Sequence, residues 1–128
     1  MMENLTVKEI MTFVPSGKDY RNTLAFYKDL GFTADYESDD LSILRIGTHR
    51  FFLQNFVNAE MQSNFMMNLE VEDLDAWWRK IEAARLTEKY PGTRAIPPKD
   101  YPWGKREIHL IGPDGVLWHI AILIPEKT

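Results

Sequence analysis

The chain has 128 residues, room for one compact domain but not for two of ordinary size. Hydrophobic residues make up 45% and charged residues 27%, enough for a core without metal or disulfide staples. There is no cysteine, hence no disulfide, thiolate nucleophile or Cys-based metal site, and the net charge of -4 lacks the basic face that nucleic acid requires.

Met1-Met2-Glu3 is not a basic stretch followed by an apolar one, so no secretory leader is expected. The longest apolar run, 117–124, is broken by His119 and too short to cross a bilayer. A cytoplasmic protein with no membrane or nucleic-acid partner is the expectation.

Along the chain, residues 5–14 alternate like a strand and end at the breaker Pro15-Ser16-Gly17. Asp19 is placed to cap a helix over 20–30, whose apolar Leu24, Phe26, Tyr27 and Leu30 recur at helical spacing, with Gly31 as its stop. Three short strands follow at 32–37, 41–46 and 50–54, separated by Ser38-Asp39-Asp40 and Gly47-Thr48-His49. Then the order repeats. Residues 65–71 read as a strand, and Asp73 caps a helix with Leu74, Trp77, Trp78, Ile81 and Leu86 on one side. A strand is expected at 86–90 and irregular structure over 91–104, which holds four prolines. Strands at 106–111 and 117–124 flank the turn Gly112-Pro113-Asp114-Gly115. The fold class is therefore α+β, a single domain of two βαβββ modules (about 5–56 and 64–124) forming a cupped mixed sheet. Ala25-Phe26-Tyr27 in one helix matches Ala76-Trp77-Trp78 in the other.

Strand alternation then sorts the candidate functional side chains. In the first strand Glu9, Met11 and Phe13 share a face opposite Ile10, Thr12 and Val14. In the fifth, Met66, Asn68 and Glu70 oppose Phe65, Met67, Leu69 and Val71. In the last, Leu117, His119 and Ala121 oppose Trp118, Ile120 and Ile122. The mixed polar and apolar faces look like the wall of a solvated concavity. His49 and His109 read as structural, and Trp77 and Trp78 as packing.

Three stretches carry a family resemblance. Leu24-Ala25-Phe26-Tyr27-Lys28-Asp29-Leu30-Gly31-Phe32 resembles the first-helix signature of the vicinal-oxygen-chelate (glyoxalase/bleomycin resistance/dioxygenase) superfamily. Gly112-Pro113-Asp114-Gly115-Val116-Leu117-Trp118-His119 is similar to its final hairpin, and Pro102-Trp103-Gly104-Lys105-Arg106-Glu107 to a segment of the bleomycin-resistance proteins. Tyr36-Glu37-Ser38-Asp39-Asp40-Leu41 resembles their second hairpin.

The resemblance implies a homodimer that binds and sequesters a planar small molecule, cationic ones included, in a groove between subunits, an antibiotic-resistance type of function. Trp103, Phe52, Leu41 and Phe13 would form its apolar walls, and Glu9, Asn68, Glu70 and His119 its polar contacts. Leu41 replaces an aromatic of the relatives, and Asn68 and Glu70 stand near their tryptophans, which points away from bleomycin itself. The superfamily's metalloenzymes hold a divalent ion at places corresponding to Glu9, Met66 and His119; in this chain Gln54 could add a donor. A thioether suits a hard ion poorly, so no metal is favoured, although a divalent ion held by Glu9 and His119 stays possible. The rivals are a metal-dependent lyase or dioxygenase using that pair, a metal-free enzyme with His119 as base oriented by Glu9, and a module that binds only a partner.

Overall fold

The computed structural model describes residues 3–125. Its first four strands, β1 (Phe13–Pro15), β2 (Thr33–Glu37), β3 (Leu41–Ile46) and β4 (His49–Gln54), form one sheet in the order β1-β4-β3-β2. The next four, β5 (Met66–Glu70), β6 (Arg94–Tyr101), β7 (Lys105–Ile111) and β8 (Leu117–Leu123), form a second in the order β5-β8-β7-β6. In each sheet the first strand runs parallel to the last and the remaining pairs are antiparallel. The helices are α1 (Tyr20–Leu30), α2 (Ala59–Ser63), α3 (Leu74–Ala83) and α4 (Leu86–Lys89). The expected βαβββ order is thus present twice, with α1 and α3 as its two main helices. Among the described residues no helix is long and apolar enough to cross a membrane.

Helix α1 forms where its apolar spacing requires. Asp19 accepts a bond from the Asn22 amide, and Leu24, Phe26, Tyr27 and Leu30 are all buried. Each such side chain contributes about 1.5–3 kcal/mol by leaving water. Gly31 ends the helix at φ 127°, where a Cβ would strike the Lys80 side chain at 2.9 Å. Tyr27 then joins the two modules. Its ring packs edge-on against Phe32, Phe51 and Trp118, its hydroxyl donates to Asp114 Oδ2 at 2.6 Å, and it accepts from Trp118 Nε1 at 3.0 Å. Burial pushes the Asp114 carboxyl up to about 6, while the same carboxylate accepts from the Val116 amide and fixes the turn into β8.

Four expectations are corrected. The first strand was expected over 5–14, but only Phe13–Pro15 pair, with Phe52–Gln54. Because Phe13 lies opposite Phe52 and β4 starts at His49, residues 3–9 have no partner strand among the described residues. Ile10, placed on the inner face by alternation, is 90% exposed. The strand expected at 86–90 is α4 instead: Leu86 and Tyr90, four apart, are both buried, a helical spacing rather than an alternating one. The proline-rich stretch expected to be irregular contains β6. Pro97 and Pro98 fall at the register shift between Ile96 and Lys99 on an edge strand, where a missing N–H breaks no ladder. Finally, α2 was not foreseen. It is capped by Asn58 and tucks Gln62 Nε2 against the Asp114 carbonyl at 2.7 Å.

Candidate functional site

Glu107 organises the site. It lies in the middle of β7, on the sheet face away from buried Ile108 and Leu110, yet only 3% of it is exposed. Three donors converge on its carboxylate: His119 Nδ1 and His109 Nε2, each 2.8 Å from Oε1, and Trp103 Nε1, 3.0 Å from Oε2. Burial alone would raise the carboxyl, but these donors, His119 first, then Trp103 and His109, outweigh it and hold Glu107 at about 2. An ionised carboxylate only accepts, so both imidazoles must present N–H to it. That leaves His109 Nδ1 to accept from the Tyr101 hydroxyl at 3.3 Å, and His119 Nε2 free beside Met66 Sδ at 3.4 Å.

The local sequence makes this convergence possible. Glu107 and His109 are two apart on β7 and so share a face, and His109 lies directly opposite His119 on β8. Trp103 sits in the tight connection between β6 and β7, which Gly104 closes at φ 86°. Its indole is stacked on Tyr101 at 4.7 Å and 18°, and Tyr101 in turn on His109 at 4.6 Å and 18°. The outer indole face remains open, with Trp103 58% exposed. Such a column offers a flat ligand an ordered aromatic surface with a fixed negative charge behind it.

The other sequence-named residues lie elsewhere. Phe13 and Phe52 stack on each other at 4.4 Å on the open face of the first sheet, which alternation also gives to Leu41. Glu9 is engaged by Arg50, through Nη2–Oε2 at 2.7 Å and Nε at 3.1 Å, and that hydrogen-bonded guanidinium lowers its carboxyl. Asn68 donates to Glu70, which is ion-paired with Lys105, and both border a cavity of about 310 Å³ floored by Phe32, Phe51 and Trp118. One chain therefore gathers Trp103 and His119, but holds Phe13, Phe52 and Leu41 on its other sheet and Glu9 on the segment before β1.

Two expectations change here. The carboxylate that orients His119 is Glu107, not Glu9. His109, read as structural, is part of the cluster, and Glu107, quoted only inside a motif, is its centre. The group of metal-capable side chains among the described residues, with ligand atoms within 4.8 Å of one another, is Glu107, His109 and His119; Glu9 is not in it.

The family model for the Glyoxalase/Bleomycin resistance protein/Dioxygenase superfamily matches residues 13–120. The chain belongs to this superfamily. A bleomycin resistance determinant encoded on the transposon Tn5 is similar at 26% identity and a TM-score of 0.75, over 90% of this chain and 97% of that one. A bleomycin-binding protein complexed with bleomycin gives 26% and 0.74, over 94% of this chain and all of that one. A bleomycin-binding protein from Streptomyces verticillus complexed with copper(II)-bleomycin gives 24% and 0.73, over 94% of this chain and all of that one, a likeness of fold. No curated protein matches the chain.

The charge on Glu107 has a testable consequence. Its carboxyl lies lower in the folded chain than the ordinary 4.5, so it stabilises the fold above that pH and ceases to do so as pH falls toward about 2. Glu107→Gln should lower stability at neutral pH by about 1.5–3 kcal/mol and flatten the acid limb below pH 4.5. Urea denaturation across pH measures both. An unchanged acid limb would mean that the three donors do not stabilise the charge.

Proposed function

We propose that this superfamily member binds and sequesters a planar small molecule, cationic ones included, without metal catalysis. The observation that carries the reading is the open indole of Trp103, stacked behind by Tyr101 and tied at its edge to ionised Glu107. An ordered ring loses little entropy when a ligand stacks on it, and a cation on that stack gains about 0.5–1 kcal/mol where partly exposed. Two relatives at 26% identity support the ligand class, one a bleomycin resistance determinant and one a protein complexed with bleomycin. His119 Nε2 and Asn68 would supply polar contacts.

A homodimer belongs to the same reading, as does a cytoplasmic location, which the lack of cysteine favours. The second sheet leaves Trp103, Ile96, Met66 and Leu123 exposed, and the first leaves Phe13 and Tyr36. Facing the first sheet of one copy with the second sheet of another would bring Phe13, Phe52 and Leu41 opposite Trp103 and build the groove from both. Leu5, Val7 and Ile10, exposed along a segment without a partner strand, add apolar surface for the same association. Sedimentation equilibrium at low micromolar concentration should give a dimer. A folded monomer there would rule out a groove between copies.

The binding test is a fluorescence titration with planar cationic dyes. Quenching is expected, with Trp103→Ala weakening binding by about 1–3 kcal/mol. Because the indole N–H is bonded to buried Glu107, that substitution also costs about 1 kcal/mol of stability, and Trp103→Phe separates the two effects by keeping the ring. Unchanged affinity in Trp103→Ala would show that the indole is a structural anchor only.

A further inference from the structure

The rings of His109 and His119 each aim a nitrogen at one atom, Glu107 Oε1, and both lie 2.8 Å from it. We infer that Glu107, His109 and His119 form a binding site for an imidazole-preferring first-row divalent ion such as Zn²⁺. Two imidazoles and one carboxylate are a donor set that this ion class takes, with a fourth position left over for water or ligand. Donors bound about 2.0–2.1 Å from one ion lie about 2.9–3.4 Å apart. The three ligand atoms lie within 4.8 Å of one another, so an ion enters where Oε1 now sits once the carboxylate turns aside to bind it.

The surroundings are those a metal-bound histidine requires. A ligating imidazole carries its proton on the other nitrogen and donates it to a neighbour, which fixes the ring. Both neighbours are in place. When the ion takes His109 Nε2, the ring proton resides on Nδ1 and is donated to Tyr101 Oη, 3.3 Å away. When it takes His119 Nδ1, the proton resides on Nε2 and points at Met66 Sδ, 3.4 Å away. Neutral rings thereby change tautomer, with no net loss of protons. Trp103 holds Oε2, so Glu107 offers the ion Oε1 alone.

This arrangement departs from the trio that the superfamily resemblance suggested. Of Glu9, Met66 and His119, only His119 is a donor here, and β7 provides the other two. Met66 then acts as the acceptor behind His119, a role a soft thioether can fill although it is a poor ligand for a hard ion. The site needs no planar ligand, so its test is independent of the stacking reading.

The test uses untagged full-length protein, freed of metal by dialysis against a chelator and titrated with Co²⁺. Visible d–d absorption and tryptophan fluorescence are followed, and Zn²⁺ is added as competitor. One ion per chain is expected, displaced by Zn²⁺. Binding should weaken by about tenfold or more in His109→Ala and in His119→Ala, and by on the order of tenfold in Tyr101→Phe, which removes only the outer hydroxyl. His49→Ala, which removes the third histidine, should bind as the unsubstituted protein does. Circular dichroism checks that each variant folds. If a histidine variant does not, Tyr101→Phe and the Zn²⁺-induced rise in the thermal midpoint of the unsubstituted protein decide the matter. Absence of saturable stoichiometric Co²⁺ binding, or affinity unchanged in folded His109→Ala, overturns the proposal.

Discussion

A carboxylate taken out of water must be matched by donors, and in this protein that demand is concentrated on Glu107. An isolated buried charge costs several kcal/mol, so an ionised group at 3% exposure persists only with its oxygens satisfied. His119 comes from β8, His109 from Glu107's own strand β7 and Trp103 from the turn before β7. Remove the charge and the three lose the one acceptor they share. The Tyr101 ring, stacked between Trp103 and His109, extends the order outward to the surface. Rigidity at the indole is thus a consequence of electrostatics one layer below it.

The framework beneath depends on a second buried polar group. Tyr27 on the first helix reaches Asp114 and Trp118 in the second module, so the halves share one core rather than two. Its hydroxyl satisfies a carboxylate and an indole N–H at once, and the ring is wholly buried. That joint fixes the turn from which β8 starts, and hence the height of His119 on its strand. The sheets keep their other faces open, with apolar residues on both. A groove between two copies reconciles this distribution with the recognition residues, which one chain divides between its sheets.

Much of the fold could be read along the sequence, since α1, α3 and the final hairpin each carry a periodic signal and a cap or turn. The elements that escaped are those settled by neighbours. The length of β1 depends on where β4 begins, and β6 tolerates two prolines because it is an edge strand. Leu86 and Tyr90 suit a strand or a helical turn equally, and burial of both decides for the turn. The site was legible in part. Trp103 and His119 were found through motif and alternation, whereas Glu107 and His109 lay inside a stretch read for its resemblance or as structural. A signal was nevertheless present. His109 and His119 stand five residues either side of Asp114 in the hairpin turn, so the turn itself places them opposite each other. Glu107, two before His109, follows on the same face. The partner of Glu9 is hidden for the converse reason, because nothing along the chain shows that Arg50 reaches it.

Glu107 presents the Trp103 indole as a recognition surface, and the indole N–H resonances report on that arrangement. Four tryptophans give four such signals, assignable by substitution. The Trp103 N–H is expected to exchange slowly with solvent despite the exposed ring, to shift in Glu107→Gln, and to move on adding a planar cationic ligand while Trp77 and Trp78 do not. A Trp103 signal that exchanges at the rate of a free indole and is unmoved by either change would contradict it.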